Sequence, residues 1–145
     1  MNTKEQIKNH IEYLGYRVED KEDHLFCEKA GYANIAITVT DKCFRFWSIY
    51  NLNEIAQNNP AEFSSYMNTL NQSTIMTTFY YEKGLINFTA LSVGGYNKQL
   101  FSDFVGCWET DTTQMIDNNA DSDRFLGSLD EVAQSGYETN TSAYA

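Results

Sequence analysis

The stretch that decides the fold is Tyr32–Tyr50, YANIAITVTDKCFRFWSIY. Its first half, Tyr32–Thr40, alternates isoleucine and valine with small or polar residues, which is the period of a strand that buries one face. Asp41 and Lys42 provide a two-residue turn, and Cys43–Tyr50 then continues as a second run rich in aromatic residues. Two such runs joined by a short turn predict an antiparallel hairpin.

Further strand patterns lie on both sides of this hairpin. Leu25–Lys29 precedes it as a short apolar run that ends at a glycine turn. Thr74–Glu82 and Leu85–Val93 follow it, and Lys83 and Gly84 join these two runs as a tight turn. The sequence therefore predicts a five-stranded antiparallel sheet.

Three amphipathic helices are predicted around the strands. The first covers about residues 4–14, where isoleucine and leucine recur at spacings of three and four. The second covers about residues 60–71, because Asn59 is a good cap and Pro60 suits the first helical position. The third covers about residues 97–116. The order α-βββ-α-ββ-α is that of an α+β domain, and we expect its helices mainly on one face of the sheet.

The composition changes at Asp117, which divides the chain into a predicted domain at 1–116 and a predicted tail at 117–145. The tail holds Arg124 as its one basic residue against six acidic ones, a net charge of −5 within a total of −10. Three apolar residues form one short pattern in it: Phe125, Leu126 and Leu129. They are too few to hold the segment in a core alone, so the tail is predicted to be flexible.

The negative charge and the cysteines bear on partners and compartment. A net charge of −10 disfavours binding to nucleic acid backbones and to anionic membranes. No stretch approaches the roughly 20 apolar residues of a membrane span, and the first residues lack the apolar core of a signal peptide. The three cysteines are widely spaced and form no CxxC pair, which is typical of free thiols in a reducing cytoplasm. We therefore expect a cytoplasmic protein.

The residue types that catalysis and metal binding require are sparse. His10 lies within the first predicted helix, and His24 opens a strand after a charged turn. Cys27 lies three residues from His24 on opposite faces of a strand, so the two cannot form a nucleophile pair. No metal-ligand spacing and no glycine-rich phosphate loop occurs. The sequence predicts no catalytic site, no metal and no cofactor.

Three aromatic residues are candidates for partner binding, namely Trp47, Tyr80 and Trp108. Trp47 and Tyr80 fall on the strand faces opposite Phe46 and Phe79, and a sheet with helices on one face would leave that side open. Exposed aromatic residues on an open face are typical of a protein-binding or dimer surface. Packing of the same residues in the core is the alternative. A symmetric homodimer is the predicted assembly.

The element order resembles the fold of class I type III secretion chaperones and of the YbjN-like family of sensory transduction regulators. The matching stretches are Ile11–Val18, IEYLGYRV, as first helix into first strand, and Phe79–Phe88, FYYEKGLINF, as the last hairpin before a helix. The resemblance spans residues 4–116 and departs at Ser92–Gly95, where the family often has a proline. It implies a non-enzymatic protein, often a homodimer, that holds an extended client segment without a cofactor.

Three functional hypotheses follow. The first is a chaperone-like or adaptor-like binding module without enzymatic activity. The second is an acidic inhibitor or immunity-type protein that blocks a basic nucleic-acid-binding or nuclease surface, which the charge of −10 motivates. The third is an enzyme that uses two carboxylates in a cleft, but no such pair can be placed from the sequence.

Overall fold

Six antiparallel strands form one sheet in the computed structural model, which describes residues 2–82 and 84–126. The strands are β1 Arg17–Asp20, β2 Leu25–Glu28, β3 Ile35–Val39, β4 Cys43–Asn51, β5 Thr78–Glu82 and β6 Leu85–Val93. Their order across the sheet is β1-β2-β3-β4-β6-β5, and every neighbouring pair is antiparallel. The strand pattern therefore predicted the α+β class and the antiparallel sheet correctly, but it predicted five strands where the sheet has six.

The helices surround the strands in the predicted order, with additions. They are α1 Thr3–Tyr13, α2 Glu54–Asn58, α3 Pro60–Ser73, α4 Lys98–Glu109, a π-helical turn Thr110–Gln114, α5 Met115–Asn118 and α6 Ser122–Phe125. The cap of α1 is Asn2, whose side chain accepts the Glu5 N–H at 2.8 Å. Pro60 occupies the first turn of α3, as its fixed φ favours.

The strand that the residue pattern did not predict is β1, whose first two residues, Arg17 and Val18, end the stretch that the resemblance matched as first helix into first strand. It pairs with β2 over its full length, from Arg17 opposite Glu28 to Asp20 opposite Leu25. Val18 is its single apolar residue, and the other three residues are charged and exposed. A charged edge strand of this kind lacks the alternation that marks a half-buried strand.

The main core lies between the helices and one face of the sheet. Register and alternation place Phe46 of β4 and Phe88 of β6 on this face, opposite α4. The Trp108 ring packs between them, with centroid separations of 5.6 Å to Phe46 and 6.3 Å to Phe88. All described helix residues of the core belong to this main core, so the helices pack mainly on one face, as predicted.

The opposite side, here called the second face, bears the residues that alternate with those of the main core. Phe26, Ala36, Trp47 and Ile49 form a smaller apolar cluster there, with Leu85 packed against it. The register places Phe26 opposite Ala36 and Ala36 opposite Trp47, so these three residues form one row across β2, β3 and β4.

The predicted boundary at residue 116 is wrong for the part of the tail that the structure describes. Phe125 is 1% exposed, and its ring lies 5.6 Å from that of Phe63 and 5.2 Å from that of Tyr66. Leu126 is also buried and forms an isolated antiparallel bridge with Leu52. Residues 117–126 are thus part of the domain, because two apolar side chains fill a gap beside α3. The rest of the predicted tail, 127–145, lies outside the described residues.

One buried histidine links α1 to α4. The Nδ1 atom of His10 lies 2.7 Å from the Tyr96 hydroxyl, and its Nε2 atom lies 2.9 Å from the Ser102 hydroxyl. Burial lowers the pKa of His10, and the positive charge of Lys98 lowers it further. The folded protein therefore favours the neutral ring, whereas the unfolded chain protonates it near pH 6.5.

We expect His10 to make folding pH-dependent in mild acid. The contribution of His10 to the free energy of unfolding is complete above about pH 6.5. Below that pH the contribution declines, because the unfolded state binds more protons than the folded state. A single group changes the free energy of unfolding by at most about 1.4 kcal/mol per pH unit. Urea denaturation at pH 7.5 and 5.5 is expected to show a smaller decline in His10→Gln than in the natural chain. His24→Gln is the control, and an equal decline in all three proteins would contradict the assignment.

Candidate functional site

A cleft of about 780 Å³ lies between α2, α3 and the outermost strand β5, and we call it the β5 groove. Its lining consists of apolar side chains, amides, a serine and two tyrosines: Leu52, Ala56, Gln57, Pro60, Phe63, Ser64, Met67, Asn68, Asn71, Phe79, Tyr80 and Tyr81. None of these residues is acidic, basic or a histidine. The groove therefore suits contacts with apolar and hydrogen-bonding groups.

The strand that borders this groove is partly protected along its outer edge. The Asn71 side chain donates from Nδ2 to the Phe79 carbonyl at 3.0 Å, and its Oδ1 accepts the Phe79 N–H at 2.8 Å. In an antiparallel ladder, residues two apart direct their backbone groups to the same side. Tyr81 thus presents its N–H and C=O outward as well, and no described residue bonds to them.

The side chain of Tyr81 extends the apolar border of the groove. It is 55% exposed, and its ring packs edge-on against Phe63 at a centroid distance of 6.0 Å. Tyr66, which also contacts Phe63, bonds through its hydroxyl to the Ser122 hydroxyl at 2.7 Å. Burial raises the pKa of Tyr66 to about 12, so this phenol stays protonated and serves packing.

The loop that leads into β5 is fixed by a buried carboxylate. Asp111 is fully buried in the π-helical turn, and its two oxygens accept the N–H groups of Ile75, Met76 and Thr77 at 2.8, 3.0 and 3.1 Å. The Thr77 hydroxyl donates to it at 2.8 Å. Asp111 lies in this widened turn, and its four bonds connect the turn to the loop before β5.

Sequence reasoning missed Asp111, which binds the loop that leads into the candidate site. A signal for it exists, because Asp111 lies three residues after Trp108 and seven after Phe104, on the apolar side of the predicted third helix. An acidic residue on such a face requires buried partners.

A second group of polar residues ties α4 to the strands. Tyr16 donates to Glu109 Oε2 at 2.8 Å, and Lys29 Nζ donates to the same oxygen at 3.0 Å. Burial and the neighbouring Glu109 carboxylate raise the pKa of Tyr16 far above its usual range. The tyrosine thus remains a neutral donor, and the group has the character of a structural tie.

The three predicted binding residues do not form one site. Trp108 is 1% exposed in the main core, which corrects the expectation of a surface residue, because its indole fills the space between the sheet and α4. Trp47 lies on the second face, where it is 3% exposed, and its Nε1 donates to Asn87 Oδ1 at 3.2 Å. Tyr80 is opposite Asn87 in the register and is among the residues of the β5 groove. The partner-binding roles of Trp47 and Tyr80 stay predictions.

The cysteines and other candidate ligands are dispersed. Cys27, Cys43 and Cys107 are free thiols, and burial raises the pKa of Cys27 to about 12. Within residues 2–82 and 84–126, no three histidine, cysteine or acidic side chains converge as a metal site. Among the helices described, none is long and apolar enough to cross a membrane.

Comparison with solved structures found a likeness of fold. The chain superposes on the crystal structure of YbjN from E. coli, described as a candidate transcription regulator, with a TM-score of 0.67 and 14% sequence identity. The match covers 86% of this chain and 95% of YbjN. No protein-family model and no curated protein matched the sequence. The chain thus has a YbjN-like fold, which confirms the resemblance seen in the sequence.

Proposed function

We propose that this chain is a non-enzymatic protein-binding module that holds an extended segment of a partner protein in the β5 groove. The observation that carries the proposal is the combination of an uncharged groove with an outer strand edge at which Tyr81 presents a backbone donor and acceptor. An extended peptide can pair with such an edge while its alternate side chains enter apolar positions beside it.

The chemistry of the lining supports a peptide segment as the occupant. Gln57 and Asn68 are exposed amides at the rim, and both can bond to a peptide backbone without selecting its charge. Ala56, Phe63 and Met67 supply the apolar floor. A partner segment with apolar residues at alternate positions and few charges fits this groove best.

The bond from Asn71 limits the length of the proposed pairing. Since Asn71 occupies the backbone groups of Phe79, a bound segment would pair with β5 only around Tyr81. The remaining affinity would come from contacts between the side chains of the segment and the groove. Because such contacts depend on the sequence of the segment, the module would bind its clients selectively.

A proline substitution at Tyr81 tests the backbone contribution. Both Tyr81→Val and Tyr81→Pro remove the ring, but only proline removes the outward N–H, and edge strands tolerate proline there. A random dodecapeptide phage library is panned against the natural chain, and selected peptides are measured by calorimetry. We expect Tyr81→Pro to bind about tenfold more weakly than Tyr81→Val, the equivalent of one hydrogen bond, ~1.4 kcal/mol.

The matched control is Tyr13→Val, because Tyr13 is an exposed tyrosine of α1 that does not line the groove. Its affinity is expected to equal that of the natural chain. Equal affinities of the proline and valine variants, or selected peptides that bind all variants alike, would refute the groove as the binding site.

We extend the proposal to the cellular compartment and the oligomeric state of the protein. Three free thiols fit a reducing cytoplasm, where such a module would meet its partner. The homodimer stays a prediction, and sedimentation velocity over a range of concentrations measures it directly.

A further inference from the structure

The three elements that bound the β5 groove carry acidic residues and no basic ones. α2, α3 and β5 contain Glu54, Glu62 and Glu82, and none of these elements has a lysine, arginine or histidine. Glu62 is paired with Arg124 of α6, whereas Glu54 and Glu82 form no ion pair with any residue in the ranges 2–82 and 84–126. The uncharged groove is therefore bordered by two carboxylates that have no basic partner in the described part of the chain.

Glu54 and Glu82 lie at the same end of the groove. Glu82 is opposite Leu85 in the ladder of β5 and β6, and Leu85 is opposite Asn51 in the ladder of β6 and β4. Since neighbouring strands are about 5 Å apart, Glu82 lies about 10 Å from Asn51, and Glu54 follows Asn51 by three residues. This end of the groove therefore has a negative potential.

The side chain of Glu82 lies on the opposite face of β5 from that of Tyr81. Tyr81 packs against Phe63 of α3, so it faces the helices, and successive residues of a strand face opposite ways. Leu85, which is opposite Glu82, packs against the cluster on the second face, in agreement with this alternation. A strand added beside β5 would thus place one side chain in the groove beside Tyr81 and the next one beside the Glu82 carboxylate.

We propose that the partner segment in the β5 groove carries a lysine or arginine immediately before the apolar residue that pairs with Tyr81. This inference rests on the proposed function and gives the chemistry of the partner. In an antiparallel alignment, which all described strand pairs of the sheet have, the residue opposite Glu82 precedes the residue opposite Tyr81. Facing side chains of such a pair have Cβ atoms about 5 Å apart, so the carboxylate attracts a basic residue there and repels an acidic one.

A comparison of selected peptides tests the proposal. The dodecapeptide library is panned in parallel on the natural chain, on Glu82→Lys and on Glu12→Lys. Peptides selected on the natural chain are expected to share a lysine or arginine followed by an apolar residue. On Glu82→Lys, aspartate or glutamate is expected in place of the basic residue, because like charges in facing positions destabilise a strand pair.

The matched control is Glu12→Lys, which changes the net charge of the protein by the same amount. Glu12 is exposed on α1 and does not line the groove, so this variant is expected to select the same peptides as the natural chain.

Calorimetry measures the same pair as a double-mutant cycle, with one selected peptide and a copy in which glutamate replaces its basic residue. Glu82→Gln is expected to bind the selected peptide about threefold more weakly than the natural chain does, as is usual for the loss of a facing pair of opposite charges. Glu82→Lys is expected to bind the glutamate copy more tightly than the selected peptide, which reverses the preference of the natural chain. Both preferences are expected to shrink at high salt, because salt screens exposed charges.

The outcomes separate this inference from the function on which it rests. If Tyr81→Pro weakens binding as expected but the natural chain and Glu82→Lys select the same peptides, the groove holds a segment and the preference for a basic residue is refuted. If Glu12→Lys shifts the selection as much as Glu82→Lys does, the preference comes from the overall charge of the protein, and the pairing with Glu82 is refuted.

Two further results have defined meanings. If the library yields no peptide, or if Tyr81→Pro and Tyr81→Val bind alike, the proposed function fails and this inference fails with it. If circular dichroism shows that Glu82→Lys is unfolded, Glu82→Gln takes its place in the panning. Loss of the shared basic residue from the peptides selected on Glu82→Gln then supports the proposal, and its retention refutes the proposal.

Discussion

Replacing Asp111 with alanine is expected to lower the free energy of unfolding by about 3–5 kcal/mol, the largest effect of any single polar substitution considered for this protein. The carboxylate is fully buried and accepts four hydrogen bonds, three of them from consecutive backbone N–H groups. Alanine leaves the buried donors of Thr77 unpaired, at a cost of about 1–3 kcal/mol each. Urea denaturation followed by circular dichroism measures the loss.

The matched control for this substitution is Asp103→Ala. Asp103 is an exposed acid on the neighbouring helix α4, and its change is expected to stay within about 0.5 kcal/mol. Asp111→Asn keeps the shape of the side chain but points an N–H₂ group at N–H donors, so it too is expected to destabilise. A loss below 1 kcal/mol for Asp111→Ala would show that the loop before β5 is held by other contacts.

Phe125→Ala is expected to cost about 3–5 kcal/mol, as is usual for a buried phenylalanine. Its ring contacts Phe63 and Tyr66 on α3, so its removal leaves a cavity beside the floor of the β5 groove. Thermal and urea denaturation both report the loss. The result also tests the domain boundary. If residues 117–126 were flexible, the same substitution would leave the free energy of unfolding almost unchanged.

An exposed apolar residue provides the comparison. Leu100 is 67% exposed on α4, and Leu100→Ala is expected to change the free energy of unfolding by no more than about 0.5 kcal/mol. Equal effects of the two substitutions would mean that residues 117–126 do not pack on the domain in solution.

The periodicity of the sequence predicted the elements that bury one face. Alternation in Tyr32–Thr40 is typical of a strand whose two faces differ, and β3 lies within this stretch. The prediction failed for elements with few buried residues, because their apolar residues are too few to show a regular spacing. β1 has one apolar residue among its four, and the five residues of α2 contribute only Ala56 to the core.

The site was less predictable than the sheet, for a physical reason. The face on which Trp108 lies depends on which helix packs on which side of the sheet, and that is a tertiary contact. The β5 groove likewise depends on Asn71 and Asp111, which act through bonds to distant backbone groups. The spacing of apolar residues predicts which face of a helix or strand is buried. It does not predict the partners of a polar side chain that bonds to a distant loop, because those partners depend on the whole fold.

The position of β6 between β4 and β5 has a consequence for the newly made chain. β1 to β4 follow one another in sequence and can form a meander as they leave the ribosome, since chains fold from the N-terminus as they are synthesised. The partner of β4 on its other side is Leu85–Val93, which arrives after two further helices and β5. Until then one edge of Cys43–Asn51, a strand rich in aromatic residues, has no ladder partner among the strands already made. Exposed edges of this kind promote association between chains, so we expect aggregation during synthesis to depend on the time between the appearance of β4 and the appearance of β6.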